Sequence, residues 1–145
     1  MNSYHTILIA VDFSDASNEV ATRAQSIAKP HSSVLHIAHV IEPIAMAYNN
    51  NILVDLSSVE EELEQEAKLQ LQNFGDRFHI PETNQHIIPG SAAKQIHALA
   101  DAIGADLIVI GSHGRSGFSL LLGSTANSVL HGSKCDVLAV RVFSD

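Results

Sequence analysis

The sequence is poor in cysteine and in basic residues, and each shortage excludes a class of protein. Its single cysteine, Cys135, cannot form a disulfide within the chain. We therefore expect a cytoplasmic protein in a reducing compartment, with this thiol buried and inert in its apolar run. The 8 basic residues against 16 acidic residues give a net charge of −8. No nucleic-acid partner is expected, because such binding needs a basic face.

Long apolar segments and targeting signals are also missing. No apolar run approaches the roughly 20 residues of a membrane-spanning helix, so no membrane association is expected. The first residues lack the layout of a signal peptide. A hydrophobic fraction of 46% and a charged fraction of 17% over 145 residues are typical of a soluble globular protein. Without repeats, linkers or low-complexity tracts, the chain is predicted to form one domain over residues 1–145.

Apolar, β-rich segments alternate with amphipathic helical segments along the chain. Strands are predicted at residues 6–11, 33–40, 86–90, 106–110 and 135–142, and helices at 15–28, 91–103 and 126–131. Another, long helix is predicted to open at Ser57, with an apolar stripe that includes Phe78. Ser14 is expected to be the N-cap of the first helix, and Gly104 is a stop signal for the third. This alternation predicts an α/β fold with a five-stranded parallel sheet and helices on both faces.

A glycine-rich stretch from Gly111 to Thr125 follows the fourth predicted strand and leads into the last predicted helix. In such an arrangement, glycines let the backbone approach an anion, and amide N–H groups at the helix start point toward it. The stretch is neither a Walker A loop nor a GxGxxG motif. Its pattern fits anion binding and fits a tight structural turn about equally well.

A second candidate loop, which begins at Asp12, follows the first strand. In parallel sheets, ligands bind at the carboxyl ends of the strands, where this loop and the glycine-rich stretch both lie. The pattern alone does not make the two strands neighbours, and Asp12 is equally suited to capping a helix or turn. His36 and His39 suggest a metal site, but a spacing of three places them on opposite faces of a strand. No zinc-type cluster occurs elsewhere in the sequence.

Together, these motifs resemble the universal stress protein family along essentially the whole chain. The resemblance is carried by residues 7–14, 36–40, 106–115, 122–127 and 135–141. It implies a Rossmann-like sheet of strand order 3-2-1-4-5, which would place Asp12 beside Gly111. It also implies a homodimer.

Some members of this family hold ATP through a Gly-x2-Gly-x9-Gly-[Ser/Thr] signature, and others lack the signature. Here Gly111 and Gly114 match its first half and Gly123-Ser124 its end, but eight residues rather than nine separate Gly114 from Gly123. If the site is present, the resemblance implies that Asp12 contacts the ribose or adenine side and that the Val40 backbone contacts the adenine edge. The resemblance further implies that Gly111 and Gly114 let the loop approach the ribose and phosphates. It implies that Gly123, Ser124 and Thr125 bind phosphate oxygens, with Arg115 and His113 as candidate cations.

Catalysis would require more than a phosphate-binding loop. A phosphoryl-transfer enzyme needs a group that orients the nucleophile and, usually, a carboxylate that holds a metal. Only Asp12 and Asp15 lie near the proposed loop by this interpretation, and no dedicated base is visible. We therefore predict no catalytic residue and at most a slow ATPase.

The alternative function is a dimeric interaction or signalling module that binds no nucleotide and whose glycine-rich loop is structural. The final predicted strand, Cys135 to Val142, supplies a means of association in either case. A terminal strand is expected at a sheet edge, and an edge strand can pair with a second copy of the chain.

Overall fold

The computed structural model describes residues 3–42, 57–112 and 123–142. Its elements are β1 (Thr6–Ala10), α1 (Ala16–Ala28), β2 (Val34–Ile41), α2 (Ser57–Phe78), β3 (Gln85–Pro89), α3 (Ala92–Ile103), β4 (Leu107–Gly111), α4 (Ser124–Gly132) and β5 (Asp136–Val140). Every predicted strand and helix is present, with ends that differ from the prediction by no more than two residues. None of the helices within these ranges is long and apolar enough to cross a membrane.

The five strands form one parallel sheet in the order β3-β2-β1-β4-β5. This is the Rossmann-like order that the family resemblance implies. Strand β1 lies between β2 and β4, with Ile7 opposite Leu107 and Ile9 opposite Val109 on the β4 side. After β1 the chain adds β2 and β3 on one side of that strand, and it then adds β4 and β5 on the other side. The carboxyl ends of β1 and β4 therefore flank the switch point at which such sheets bind ligands.

Apolar clusters cover both faces of the sheet. Ile7 and Ile9 of β1 face a cluster formed with α1 and α2, whereas Leu8 faces a second cluster formed with α3 and α4. All three side chains are 0% exposed. Burial on both faces explains why the first strand is apolar at successive positions instead of alternating with polar residues.

The start of α1 differs from the prediction. The helix begins at Ala16, and Asp15 occupies the N-cap position without a side-chain hydrogen bond to the helix. The Ser14 hydroxyl donates instead to the carboxylate of Asp12, at 2.6 Å. The prediction that Ser14 caps the helix is therefore wrong, because the helix begins one residue later than expected and Asp15 takes the N-cap position.

Cys135 is also less buried than predicted. Its side chain is only partly buried, packs beside the α3 and α4 cluster, and has its sulfur 3.6 Å from the Ser133 hydroxyl. The residue directly precedes β5, which among the described strands has a neighbour on one side only. A position beside a sheet edge explains its partial exposure.

The third helix ends as predicted. Gly104 follows Ile103 with φ of +70°, in the left-handed region, and its N–H bonds the carbonyls of the last turn of α3. A glycine adopts this conformation without the steric cost that a Cβ would add. The chain then enters β4, whose first residues lie at the sheet end opposite the candidate site.

Candidate ligand-binding cleft

A cleft with a volume of ≈ 440 Å³ opens at the carboxyl ends of β1, β2 and β4, beside the first turn of α4. The residues that line it include six that the sequence singles out: Asp12, Val40, Gly111, Gly123, Ser124 and Thr125. Three other predicted residues, His113, Gly114 and Arg115, lie outside the described residues. The sheet order thus brings together side chains and backbone groups from three distant parts of the chain.

A hydrogen-bond network fixes the carboxylate of Asp12 at the edge of this cleft. One carboxylate oxygen, Oδ1, accepts from the Ser14 N–H at 3.0 Å, the Ser14 hydroxyl at 2.6 Å and the Ser17 hydroxyl at 3.1 Å. The Ser17 hydroxyl also accepts from the Asp12 N–H at 3.3 Å, and Ser17 is only 2% exposed. The network orients Asp12 before any ligand arrives.

Sequence reasoning missed the role of both serines. Their hydroxyls lie two and five residues after Asp12, a spacing that also fits ordinary helix initiation. Only the turn geometry after β1 shows that they bond the carboxylate. The signal was therefore present in the sequence, but it was ambiguous.

Phe13, the residue after Asp12, has a strained backbone that its side-chain contacts maintain. Its φ is +62°, a left-handed conformation that costs a bulky residue of order 1–3 kcal/mol. Its ring packs beside the α1 and α2 cluster and lies 4.2 Å from the ring of His39, between centroids. The His39 Nδ1 lies 2.9 Å from the Val11 carbonyl oxygen, which can only accept, so Nδ1 carries the proton. Packing and hydrogen bonding thus maintain a strained turn at the cleft.

The backbone of Val40 faces the cleft. The Ala38 carbonyl accepts from the Val11 N–H at 3.0 Å, while the Ile41 carbonyl bonds on the opposite side, toward β3. Backbone groups of successive strand residues point to alternate sides. The N–H and C=O of Val40 therefore point to the β1 side, beyond the last paired residue of β1, Ala10. They supply one donor and one acceptor at the cleft wall.

The first turn of α4 forms another wall. Gly123 is the N-cap of the helix, with extended φ and ψ of −65° and 160°. Its N–H donates to the Ser112 carbonyl at 2.6 Å, and the Ser112 N–H donates to the Val140 carbonyl at 2.8 Å. The helix start is thus tied to the ends of β4 and β5. The N–H groups that follow, at Ser124 and Thr125, lack carbonyl partners one turn earlier in the helix and carry partial positive charge, which suits an anion.

The two histidines on β2 have separate surroundings, as their spacing predicts. His39 contacts Phe13 and Val11, whereas His36 contacts His86 on β3. Within residues 3–42, 57–112 and 123–142, no group of three or more His, Cys, Asp or Glu side chains has a metal-binding arrangement. The polar features of the cleft lining are backbone groups, hydroxyls, the His39 ring, Glu42 and the oriented carboxylate of Asp12.

Comparisons with known sequences agree with the motifs. The model of the universal stress protein family matches residues 3–141. Universal stress protein A homolog 1 of Coxiella burnetii is 38% identical over 138 residues, which cover 94% of this chain and 96% of the relative. Universal stress protein G of Escherichia coli O157:H7 is 34% identical over 141 residues, with 95% and 99% coverage.

Solved structures show the same relationship. Universal stress protein UspA from Lactobacillus plantarum superimposes with a TM-score of 0.79 at 27% identity, over 97% of this chain and all of that one. A universal stress protein solved in complex with cAMP gives a TM-score of 0.63 at 28% identity, over 96% and 98% of the two chains. Since the family model and these relatives cover nearly all of the sequence, this chain belongs to the universal stress protein family.

Proposed function

We propose that this chain is a cytoplasmic stress-response protein that binds ATP in the cleft as a regulatory ligand. The observation that carries the proposal is the convergence of Asp12, Val40, Gly111 and the start of α4 around one opening. A relative of 28% identity was solved with cAMP, which is also an adenine nucleotide. The cytoplasmic location rests on the single cysteine of the sequence.

The polar groups of the cleft suit the separate parts of an adenine nucleotide. The Val40 N–H and C=O offer a donor and an acceptor to the base edge. The carboxylate of Asp12 would repel phosphate, so we assign it to ribose hydroxyls or to the adenine amino group. The start of α4, with Gly123, Ser124 and Thr125, then faces the phosphates, because a helix N-terminus favours negative charge.

The size of the cleft agrees with such a ligand. Small-molecule sites commonly have volumes of roughly 300–1,000 Å³, and this cleft measures ≈ 440 Å³. Its apolar walls include Ile96 and Ile110, which belong to or border the α3 and α4 cluster. These side chains offer an apolar surface to a planar base.

A regulatory role fits the cleft better than rapid phosphoryl transfer. Two acidic residues, Asp12 and Glu42, line the described part of the opening. One oxygen of Asp12 is held by Ser14 and Ser17, so this carboxylate is arranged to orient a ligand instead of moving a proton. We therefore expect any ATP hydrolysis to be slow.

Calorimetric titration with ATP tests the proposal, with Gly123→Val as the decisive variant. The φ and ψ of Gly123 are open to residues with side chains, so the fold should tolerate valine while its branched side chain obstructs the phosphates. A matched control is Ser91→Val, which changes the exposed N-cap of α3, outside the cleft lining. We expect binding to be lost only in Gly123→Val. Unchanged binding in that variant would refute the assignment of α4 to the phosphates.

We also propose that two copies pair along β5 as a homodimer, within the predicted segment Cys135 to Val142. β5 is an edge of the sheet, and Val137, Leu138 and Ala139 are apolar but only partly buried. The Val140 carbonyl faces β4, since it accepts the Ser112 N–H. Alternation along the strand then directs the N–H groups of Val137 and Ala139 to the open edge.

Two proline variants distinguish this dimer from simple loss of the strand. Ala139→Pro removes an N–H from the open edge, whereas Leu138→Pro removes one that faces β4. Light scattering should show that Ala139→Pro is a monomer, and thermal unfolding should show that it stays folded whereas Leu138→Pro is destabilised. A monomeric wild-type protein at micromolar concentration would contradict the dimer. A dimer that binds no nucleotide would instead favour the interaction module as the function.

A further inference from the structure

Two imidazole rings meet between neighbouring strands, outside the nucleotide cleft. The Nδ1 of His36, on β2, lies 3.0 Å from the Nε2 of His86, on β3. The ring centroids are 5.2 Å apart and the ring planes differ by 19°. The strand register places His86 opposite Ala38, so the two histidines are diagonal neighbours on one face of the sheet.

Neither histidine lines the cleft, although Ala38, which lies opposite His86, does. His36 lies opposite Leu8 in the middle of β1, and it does not line the opening. Four residues separate it from Val40, which corresponds to about 13 Å along an extended strand. A ligand at the histidine pair would therefore occupy its own place on the sheet.

The surrounding backbone holds the two rings in register. β2 and β3 pair through five consecutive positions, from Ile37 opposite Gln85 to Ile41 opposite Pro89. In addition, the Asn84 side-chain amide donates to the Leu35 carbonyl at 3.1 Å, next to His36. The two rings are thus presented from a rigid two-stranded support.

Both rings are partly buried, and burial lowers the pKa of each histidine below its usual value. The neighbouring His86 lowers the pKa of His36 further. Burial thus favours the neutral form of both imidazoles.

We propose that His36 and His86 together bind a divalent transition-metal ion of the zinc class. Zinc binds imidazole nitrogen at about 2.0–2.1 Å with tetrahedral angles, which sets two such nitrogens about 3.3 Å apart. The observed separation of 3.0 Å is close to this value, and each ring must turn so that its lone pair points at a shared ion instead of at the other nitrogen. The proton that lies between the rings moves to the other nitrogen of its own ring, so chelation requires no net release of protons.

The chemistry of the pair decides the class of ion and the type of site. Imidazole favours Zn²⁺, Ni²⁺ and Cu²⁺, whereas Ca²⁺ and Mg²⁺ prefer oxygen ligands. Since no third His, Cys, Asp or Glu joins the pair among the described residues, water completes the coordination sphere. The result is an open, exchangeable site that bridges β2 to the edge strand β3, unlike a closed structural zinc site.

Zinc titration of the 145-residue chain, stripped of metal with EDTA, tests the proposal. The variants are His36→Gln and His86→Gln, and the control is His131→Gln, which removes an exposed histidine at the end of α4. We expect one equivalent of Zn²⁺ to bind the wild type and the control. Affinity should fall about tenfold or more in each of the other two variants, because a chelate is reduced to a single ligand. Equal affinity in all four proteins would overturn the proposal.

A measurement on the wild type guards against variants that do not fold. Zn²⁺ added to the metal-free protein should shift the imidazole NMR signals of His36 and His86 before those of the other seven histidines. It should also raise the melting temperature, because an ion that binds only the folded state stabilises it. Uniform shifts of all histidine signals, with no change in melting temperature, would contradict a specific site.

Discussion

Two aspartates at opposite ends of the central strands show how similar contacts serve different purposes. Asp12 follows β1 and lies at the cleft, whereas Asp106 precedes β4 at the other end of the sheet. The Asp106 carboxylate accepts from the backbone N–H of His5 at 2.9 Å and of Thr6 at 3.1 Å. The Asp12 carboxylate accepts mostly from the serine side chains of its own turn.

The difference lies in what each carboxylate joins. Asp106 links the start of β1 to the start of β4, two segments 100 residues apart in sequence, so it stabilises the sheet itself. Asp12 bonds Ser14 and Ser17 within one short turn beside an open cleft, and these bonds fix the direction of its carboxylate. Hydrogen bonding alone therefore does not identify a binding residue; the open cleft beside Asp12 is what distinguishes it from Asp106.

The largest effect should come from Asp12→Asn. This change removes the charge but preserves the shape, and we expect ATP affinity to fall roughly 10- to 100-fold, the value of a charge-assisted hydrogen bond. Asp15→Asn is the matched control, because Asp15 is exposed and does not line the cleft. Calorimetry on both variants provides the comparison, and equal affinities would remove Asp12 from the site.

Asp106→Asn should lower stability and leave ATP affinity unchanged. An amide offers only one oxygen to the N–H groups of His5 and Thr6, so the free energy of unfolding should fall by about 1–3 kcal/mol. ATP affinity should stay unchanged in the variant that remains folded. Urea denaturation measures the first quantity and calorimetry the second. A loss of affinity without a loss of stability would show that the two ends of the sheet do not have separate roles.

A smaller effect on both properties is expected from Ser17→Ala. Ser17 is buried, and its hydroxyl both donates to the Asp12 carboxylate and accepts from the Asp12 N–H. Loss of these bonds should cost about 1–2 kcal/mol of stability and, by releasing Asp12, weaken ATP binding several-fold. Denaturation and calorimetry on Ser17→Ala and on exposed Ser58→Ala as control test this. Full affinity in Ser17→Ala would mean that Asp12 needs no orientation.

The smallest effect concerns pH, at the end of the sheet that holds Asp106. The Tyr4 hydroxyl donates to Asp136 at 2.7 Å. This hydrogen bond, followed by burial and the nearby negative charge, raises the pKa of Tyr4 above 10.0. Because the folded pKa is raised, the contribution of the bond to stability is complete below pH 10 and is lost as pH rises through the folded pKa.

Absorbance titration follows this ionisation directly. Subtracting the titration curve of Tyr4→Phe from that of the wild type gives the ionisation of Tyr4 without that of the second tyrosine of the sequence. Asp136→Asn should return the midpoint toward 10.0, because it removes the charge that opposes ionisation. An unmoved midpoint would show that Asp136 is not the cause. ATP binding near neutral pH should be unaffected by either variant.

The sequence predicted the elements of the fold well because burial on two faces leaves a strong pattern. Strand β1 is apolar at consecutive positions, and Gly104 marks a helix end that requires a left-handed residue. That β1 and β4 are adjacent was predicted from the family resemblance and not from the hydrophobic pattern. Strand order depends on long-range packing, which the pattern does not encode.

Contacts between side chains were much less predictable. Serine is a common N-cap residue, yet α1 begins after Asp15 and the Ser14 hydroxyl donates to the carboxylate of Asp12. The meeting of His36 and His86 depends on the register between two strands, and spacing within one strand carries no information about it. The three candidates His113, Gly114 and Arg115 remain predictions, as they lie outside the described residues.

Native mass spectrometry, before and after addition of ATP, tests the central claim most directly. It measures the assembly and its bound ligand in one spectrum. We predict the mass of a dimer, with one ATP per chain in the wild type and a clearly lower ATP occupancy in Asp12→Asn at the same ATP concentration. A dimer that stays free of nucleotide at millimolar ATP would contradict the claim that the cleft is a nucleotide site.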